Sequence, residues 1–126
     1  MFKVESIIFL AALNMLIAVG AGAFGAHGLK SVLSADMLAI WQTAVQYQMV
    51  HALGLLGLSL LQAQWNERLL RYAAWTMLSG IFIFSGSLYA LALSGLRILG
   101  AITPVGGVAF LLSWAMLAWC AYRRQH

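Results

Sequence analysis

Two histidines, His27 and His51, are the residues of this chain best suited to chemistry, because imidazole titrates near neutrality and can carry a proton or bind a metal. His51 closes a polar run, Trp41-Gln42-Thr43-Ala44-Val45-Gln46-Tyr47-Gln48-Met49-Val50-His51, that leads into an apolar segment. Thr43, Tyr47 and His51 share one helical face by their i, i+4 spacing. Further along, Ser87, Tyr89 and Thr103 add hydroxyl groups. The candidate polar cluster is therefore His27, Gln46, Tyr47, His51, Ser87, Tyr89 and Thr103. Three uses are open to it. The histidines could bond backbone carbonyls and hydroxyls freed where a helix breaks at Gly28. The cluster could hold a small or lipid-like ligand. Two imidazoles from neighbouring helices could ligate a metal or a haem. The last use has least support, because no Cys, His or carboxylate cluster has ligand spacing, and no metal or cofactor is expected. No phosphate loop, nucleophile elbow or zinc-protease motif is present, so no catalytic residue is assigned and the reading is non-enzymatic.

The elements that must position these residues follow from composition. Of 126 residues, 63% are hydrophobic and 8% are charged, against about 25% charged in a soluble domain. So few charges cannot coat a water-soluble body, and the chain reads as an integral membrane protein built of helices. At about 20 residues per span its length allows roughly four spans and no soluble domain. The expected fold class is an all-α integral membrane four-helix bundle, a single domain over residues 1–126. Its net charge of +4 reads as topology and phospholipid headgroup contact, and no nucleic-acid partner is expected. The lone cysteine, Cys120, rules out an intrachain disulfide.

Spans are expected over about residues 6–24, 47–62, 70–93 and 103–122. The first resembles a signal peptide in its Lys, apolar run and small residues, but those small residues have a better use in packing. Ala18, Gly22 and Ala26 recur every four residues, as do Ala21 and Gly25, and such ridges let a second helix approach closely. Gly54, Gly57, Gly80 and Ser87 are the further candidate packing positions. Asn14 suits an interhelical hydrogen bond or, more sharply, a substrate contact. Ser34 is a predicted N-cap, with Asp36 in the first turn after it. Met37, Leu38, Trp41 and Val45 form an apolar stripe, so a short amphipathic helix over residues 34–46 is expected to lie in the membrane interface and then turn into span two. Trp41, Trp65 and Trp119 are expected in interfacial belts. Phe82 and Phe84 read as lipid-facing or core. Pro104 is tolerated in the first turn of span four. Arg97 is expected to meet lipid phosphate rather than pair with Asp36.

Lys3, Arg68, Arg71, Arg123 and Arg124 fall on one side of such a bundle and Lys30 and Arg97 on the other. The basic side is predicted to be cytoplasmic, with both termini there. Asp36 and Glu67 then lie on opposite sides and cannot form an acid–base pair.

Three motifs carry a resemblance over essentially the whole chain. They are Gly25-Ala26-His27-Gly28-Leu29; the run from Trp41 to Gln48 followed by His51-Ala52-Leu53-Gly54; and Gly86-Ser87-Leu88-Tyr89 followed by Ile102-Thr103-Pro104-Val105-Gly106-Gly107. Together they resemble the YgdD-like family of small bacterial inner-membrane proteins. The resemblance implies a multi-pass inner-membrane protein and brings no catalytic assignment with it. The expected partners are membrane lipid and either another copy of the chain or another membrane protein.

Overall fold

A computed structural model describes residues 3–126. Its first helix, α1, spans Val4–His27. It stops at Gly28, whose N–H bonds the Phe24 carbonyl, and where a Cβ would lie 2.5 Å from the Phe24 ring. Ser34 caps the next helix as expected, its hydroxyl accepting the Met37 N–H at 3.2 Å, an interaction worth about 1 kcal/mol.

Helix α2 then runs unbroken over Ala35–Trp65. The separate interfacial helix expected over residues 34–46 is not formed. No glycine or proline stands between Ala35 and Gly54 to release the ladder. Its 31 residues make ~46 Å of helix, more than the ~30 Å hydrocarbon core. Trp41 does not stand on a lipid-facing stripe. It is 7% exposed, and its Nε1–H donates to the Ala21 carbonyl at 2.9 Å. The amphipathic stripe is real, but its partner is protein: Trp41 and Val45 pack with Leu29 and Ala92. Helix α2 ends at Asn66, in the left-handed region at φ 49°, its N–H bonding the Gln62 carbonyl.

The third span comprises α3 (Arg68–Gly80), a π turn (Ile81–Ser85) and α4 (Gly86–Ser94). The Gly86 N–H reaches back to the Ile81 carbonyl, one residue further than in an α-helix. Gly95, at φ 74°, closes α4. A 3₁₀ turn over Arg97–Ala101 leads to α5, Thr103–Gln125, with Pro104 in its first turn.

Four helices are long and apolar enough to cross a membrane, and no strand occurs among the described residues. The molecule is an all-α membrane helical bundle. Helix α2 lies along the third span, α1 packs on α2, and α5 packs on the third span. At one end Ile7, Leu55, Leu58, Leu70, Met77 and Cys120 form a shared core. Phe82, Ile98 and Leu111 face outward, each more than 70% exposed, which suits a surface solvated by lipid tails.

The charged groups sort by end. Glu67 carries both ion pairs of the described residues, to Arg123 at 2.7 Å and Arg124 at 3.1 Å. Arg124 also lies 4.5 Å above the Trp65 ring. Trp119 is exposed and stacked on Tyr122. Arg97 and Asp36 are both exposed and unpaired with each other.

Candidate functional site

Three interhelical ties are built from buried polar side chains of the spans, while Ser59 and Ser113 bond carbonyls of their own helices and Gln62 bonds the turn that follows α2. The first links three helices. The Tyr89 hydroxyl of α4 donates to Gln48 Oε1 of α2 at 2.7 Å, and Gln48 Nε2 donates to Asn14 Oδ1 of α1 at 3.1 Å. Asn14 Nδ2 then donates to the Leu10 carbonyl at 2.9 Å. Polar groups in a bilayer interior must find partners inside the bundle, and each group here serves the next. Trp41 supports the tie, its ring edge-on to Tyr89 at 4.6 Å.

The second tie is organised by the π turn. The extra residue in that turn aims Ser85 at α2, where its hydroxyl donates to the buried Ala44 carbonyl at 2.8 Å. It aims Phe84 the other way, at α5. A Cβ on Gly106 would collide with the Phe84 backbone, and one on Gly80 would lie 2.6 Å from the Phe110 ring. The two helices therefore meet at backbone distance, which only glycine permits. One turn on, the Ser87 and Thr103 hydroxyls share a hydrogen bond of 2.6 Å between α4 and α5.

The third tie centres on His51. Its Nδ1 lies 2.7 Å from the Tyr47 carbonyl, and Trp114 Nε1–H donates to its Nε2 at 3.0 Å. A carbonyl only accepts and an indole N–H only donates. Nδ1 therefore carries the hydrogen, and the Nε2 lone pair is occupied by Trp114. The ring also stacks on Phe110, centroids 3.5 Å apart. A metal would have to displace Trp114 to reach it. Among the described residues no three His, Cys, Asp or Glu side chains could together hold an ion.

The structure thus divides the expected cluster. Tyr47 and His51 sit together in an aromatic group with Phe84, Phe110 and Trp114. Ser87 and Thr103 form their own pair, and Tyr89 joins Gln48 and Asn14. His27 is exposed at the end of α1 and bonds none of these side chains, so the two histidines are not brought together. Gln46 is exposed, on an outer groove it shares with Tyr47 and His51. Gln48 and Trp114 are the contributors that the sequence reading missed. Asn14 takes the interhelical bond that was one of its two expected uses. Of the candidate packing residues, Ala18 is fully buried, Gly22 faces Val45, Gly54 faces Met77 and Trp114, and Gly80 faces Phe110. Ala26 is exposed and Gly57 opens on empty space.

Two clefts open beside the ties. One, of about 470 Å³, lies between α2 and α5 and is lined by the aromatic group with Pro104 and Gly107. The other, of about 530 Å³, lies between α1 and the third span, with Asn14, Gln48, Ser85, Gly86 and Tyr89 on its wall and Ile17 and Phe82 at its rim. Both volumes fall in the range of small-molecule sites.

Comparison with known proteins adds a family to this geometry. A family model described as a protein of unknown function, DUF423, matches residues 21–107. The UPF0382 membrane protein of Staphylococcus saprophyticus is 51% identical over 110 residues, 87% of this chain and 91% of its own. That of Staphylococcus epidermidis is 52% identical over 110 residues, covering 87% and 89%. YwdK of Bacillus subtilis, also a UPF0382 membrane protein, is 49% identical over 117 residues, covering 92% and 95%. No solved structure matches.

Proposed function

The chain belongs to the DUF423 family of membrane proteins of unknown function, and from that premise we propose that it is a non-catalytic protein that binds a lipid-like molecule within the bilayer. Within the family, its three motifs ally it with the YgdD-like proteins of the inner membrane. One observation carries the binding reading: the cleft between α1 and the third span, which has apolar rims and amide and hydroxyl groups on its wall. The remaining buried polar groups support a non-catalytic role, because each is engaged by the protein, either between helices, with a carbonyl of its own helix or with the turn that follows α2.

We place the protein in the cytoplasmic (inner) membrane with both termini on the cytoplasmic side. The support is the gathering of Lys3, Arg68, Arg71, Arg123 and Arg124 at one end against Lys30 and Arg97 at the other.

A second reading is association with another copy or another membrane protein. The near-bare face of α1 favours it: only 17% of that span is buried, and a Cβ on Gly20 would meet nothing within 4 Å. Native mass spectrometry of the protein released from lipid nanodiscs separates the two. Gly86 lines the cleft, has helical φ and ψ, and has empty space where a Cβ would stand. Gly86→Leu therefore fills the cleft without displacing backbone. The binding reading expects a bound mass in wild type and in Gly20→Leu that is lost in Gly86→Leu. A bare oligomer, unchanged in Gly86→Leu and dissociated in Gly20→Leu, would replace it with the second reading.

A further inference from the structure

The wall of the α1–third span cleft has hydrogen-bond donors that the protein does not use. A primary amide carries two N–H bonds. Asn14 gives one to Leu10, and Gln48 gives one to Asn14. One N–H remains on each, and both residues line the cleft. Acceptors there also keep spare lone pairs, on Tyr89 and on the two amide oxygens, but an orphaned N–H is the rarer and costlier state away from water.

Depth narrows the occupant. Asn14 lies ~15 Å from the start of α1 and ~20 Å from its end, so the amides sit near the middle of the span. The headgroup of a phospholipid belongs at the interface, and a charge at mid-bilayer is expensive. No charged residue lines the cleft to offset one. Its rim is apolar, with Ile17 and Ile102 about half exposed and Phe82 83% exposed.

Resting on the binding reading above, we infer that the cleft takes an uncharged lipid whose polar end is a carbonyl acceptor at mid-bilayer depth, of the kind a long-chain quinone presents. The Asn14 and Gln48 amides donate to that carbonyl while the tail runs out between Ile17 and Phe82.

The test uses the full chain in nanodiscs and a decyl-substituted para-benzoquinone as probe, with hexadecanol and phosphatidylglycerol as the hydroxyl and charged-headgroup alternatives. Binding is read by native mass spectrometry and by the side-chain amide NMR signals of Asn14 and Gln48. The quinone is expected to bind and shift both signals. Asn14→Leu is expected to weaken it about fivefold, the effect of one neutral hydrogen bond. Gly86→Leu is expected to abolish binding, and Gly20→Leu to leave it unchanged. Quinone binding that survives Gly86→Leu, or hexadecanol or phosphatidylglycerol binding in its place, overturns the assignment. A co-purified molecule lost in Gly86→Leu, with no quinone bound, refutes the carbonyl class and leaves the binding reading standing. No co-purified mass and no probe binding refutes both.

Discussion

Replacing Gln48 by leucine removes the middle of a three-helix tie while leaving the volume and the apolar packing of α2 nearly intact. Gln48 is 5% exposed, so water cannot take over its role. Two hydrogen bonds disappear, at 2.7 Å to Tyr89 and 3.1 Å to Asn14. Interhelical hydrogen bonds in membrane proteins average about 0.6 kcal/mol and reach about 1.7 kcal/mol. The loss should therefore be about 1–3 kcal/mol, part of it the desolvation of the orphaned Tyr89 hydroxyl and Asn14 carbonyl oxygen. The clean measurement is a pair of double-mutant cycles, Gln48→Leu with Tyr89→Phe and Gln48→Leu with Asn14→Leu, read by reversible unfolding in mixed micelles. Coupling of about 0.5–1.5 kcal/mol is expected in each cycle. If both couplings are zero within error, the chain of bonds does not hold the helices together. The reading that buried polar groups tie the helices would then fall with it, because the Ser85 and Ser87 bonds rest on the same reasoning.

Glycine offers a contrast between two sites on different helices. Gly106→Ala places a methyl group inside the backbone of Phe84 and should cost about 1–3 kcal/mol by overpacking, whereas Gly57→Ala opens on empty space and should be neutral or stabilising by up to about 1 kcal/mol; equal effects in unfolding assays would refute the close approach. Glu67→Gln breaks both ion pairs to the C-terminal arginines, yet these pairs are partly solvent-exposed and should contribute no more than about 1 kcal/mol, declining with salt; a larger or salt-independent loss in the same assay would contradict that. For topology, single cysteines at Lys30 and at His126 in a Cys120→Ala background should be labelled from opposite sides of intact cells, position 30 from outside and position 126 only after permeabilisation; the reverse pattern would invert the assignment of the basic end.

The fold was legible where local chemistry decides it. The hydroxyl of Ser34, the break at Gly28 and the tolerance of Pro104 in a first turn each act within a few residues, and each sits where the sequence puts it. What was not legible depends on which neighbour an apolar face meets. Trp41 and its stripe have the periodicity of an interfacial helix, and lipid and a second helix are equally good partners for such a stripe. Gly25 decided it: a Cβ there would lie 2.6 Å from the Trp41 indole nitrogen, so α1 carries a notch of the right size for that ring. The same notch exposes the Ala21 carbonyl to the indole N–H, which turns a ring suited to the membrane surface into an interhelical anchor.

The assignment of Gln46 rather than Gln48 to the cluster has a related cause. Residues 46, 47 and 48 are polar or amphipathic and point about 100° apart around the helix, so composition alone cannot say which faces inward. Spacing can. Trp41, Ala44, Val45, Gln48, His51, Ala52, Leu55, Leu58, Ser59 and Gln62 are buried in one uninterrupted three- and four-residue rhythm. Followed from Trp41 to Gln62, that rhythm leaves no room for a turn at residue 46, admits Gln48 and excludes Gln46. It also explains which polar groups of α2 are buried. Gln48, His51, Ser59 and Gln62 stand on the face that meets other helices, where a hydrogen bond has no competing water. The His51 ring and the Gln48 amide thus belong to the same seam, but they end differently. Both nitrogens of the ring are occupied by the protein, whereas the amide keeps one N–H for whatever enters the cleft.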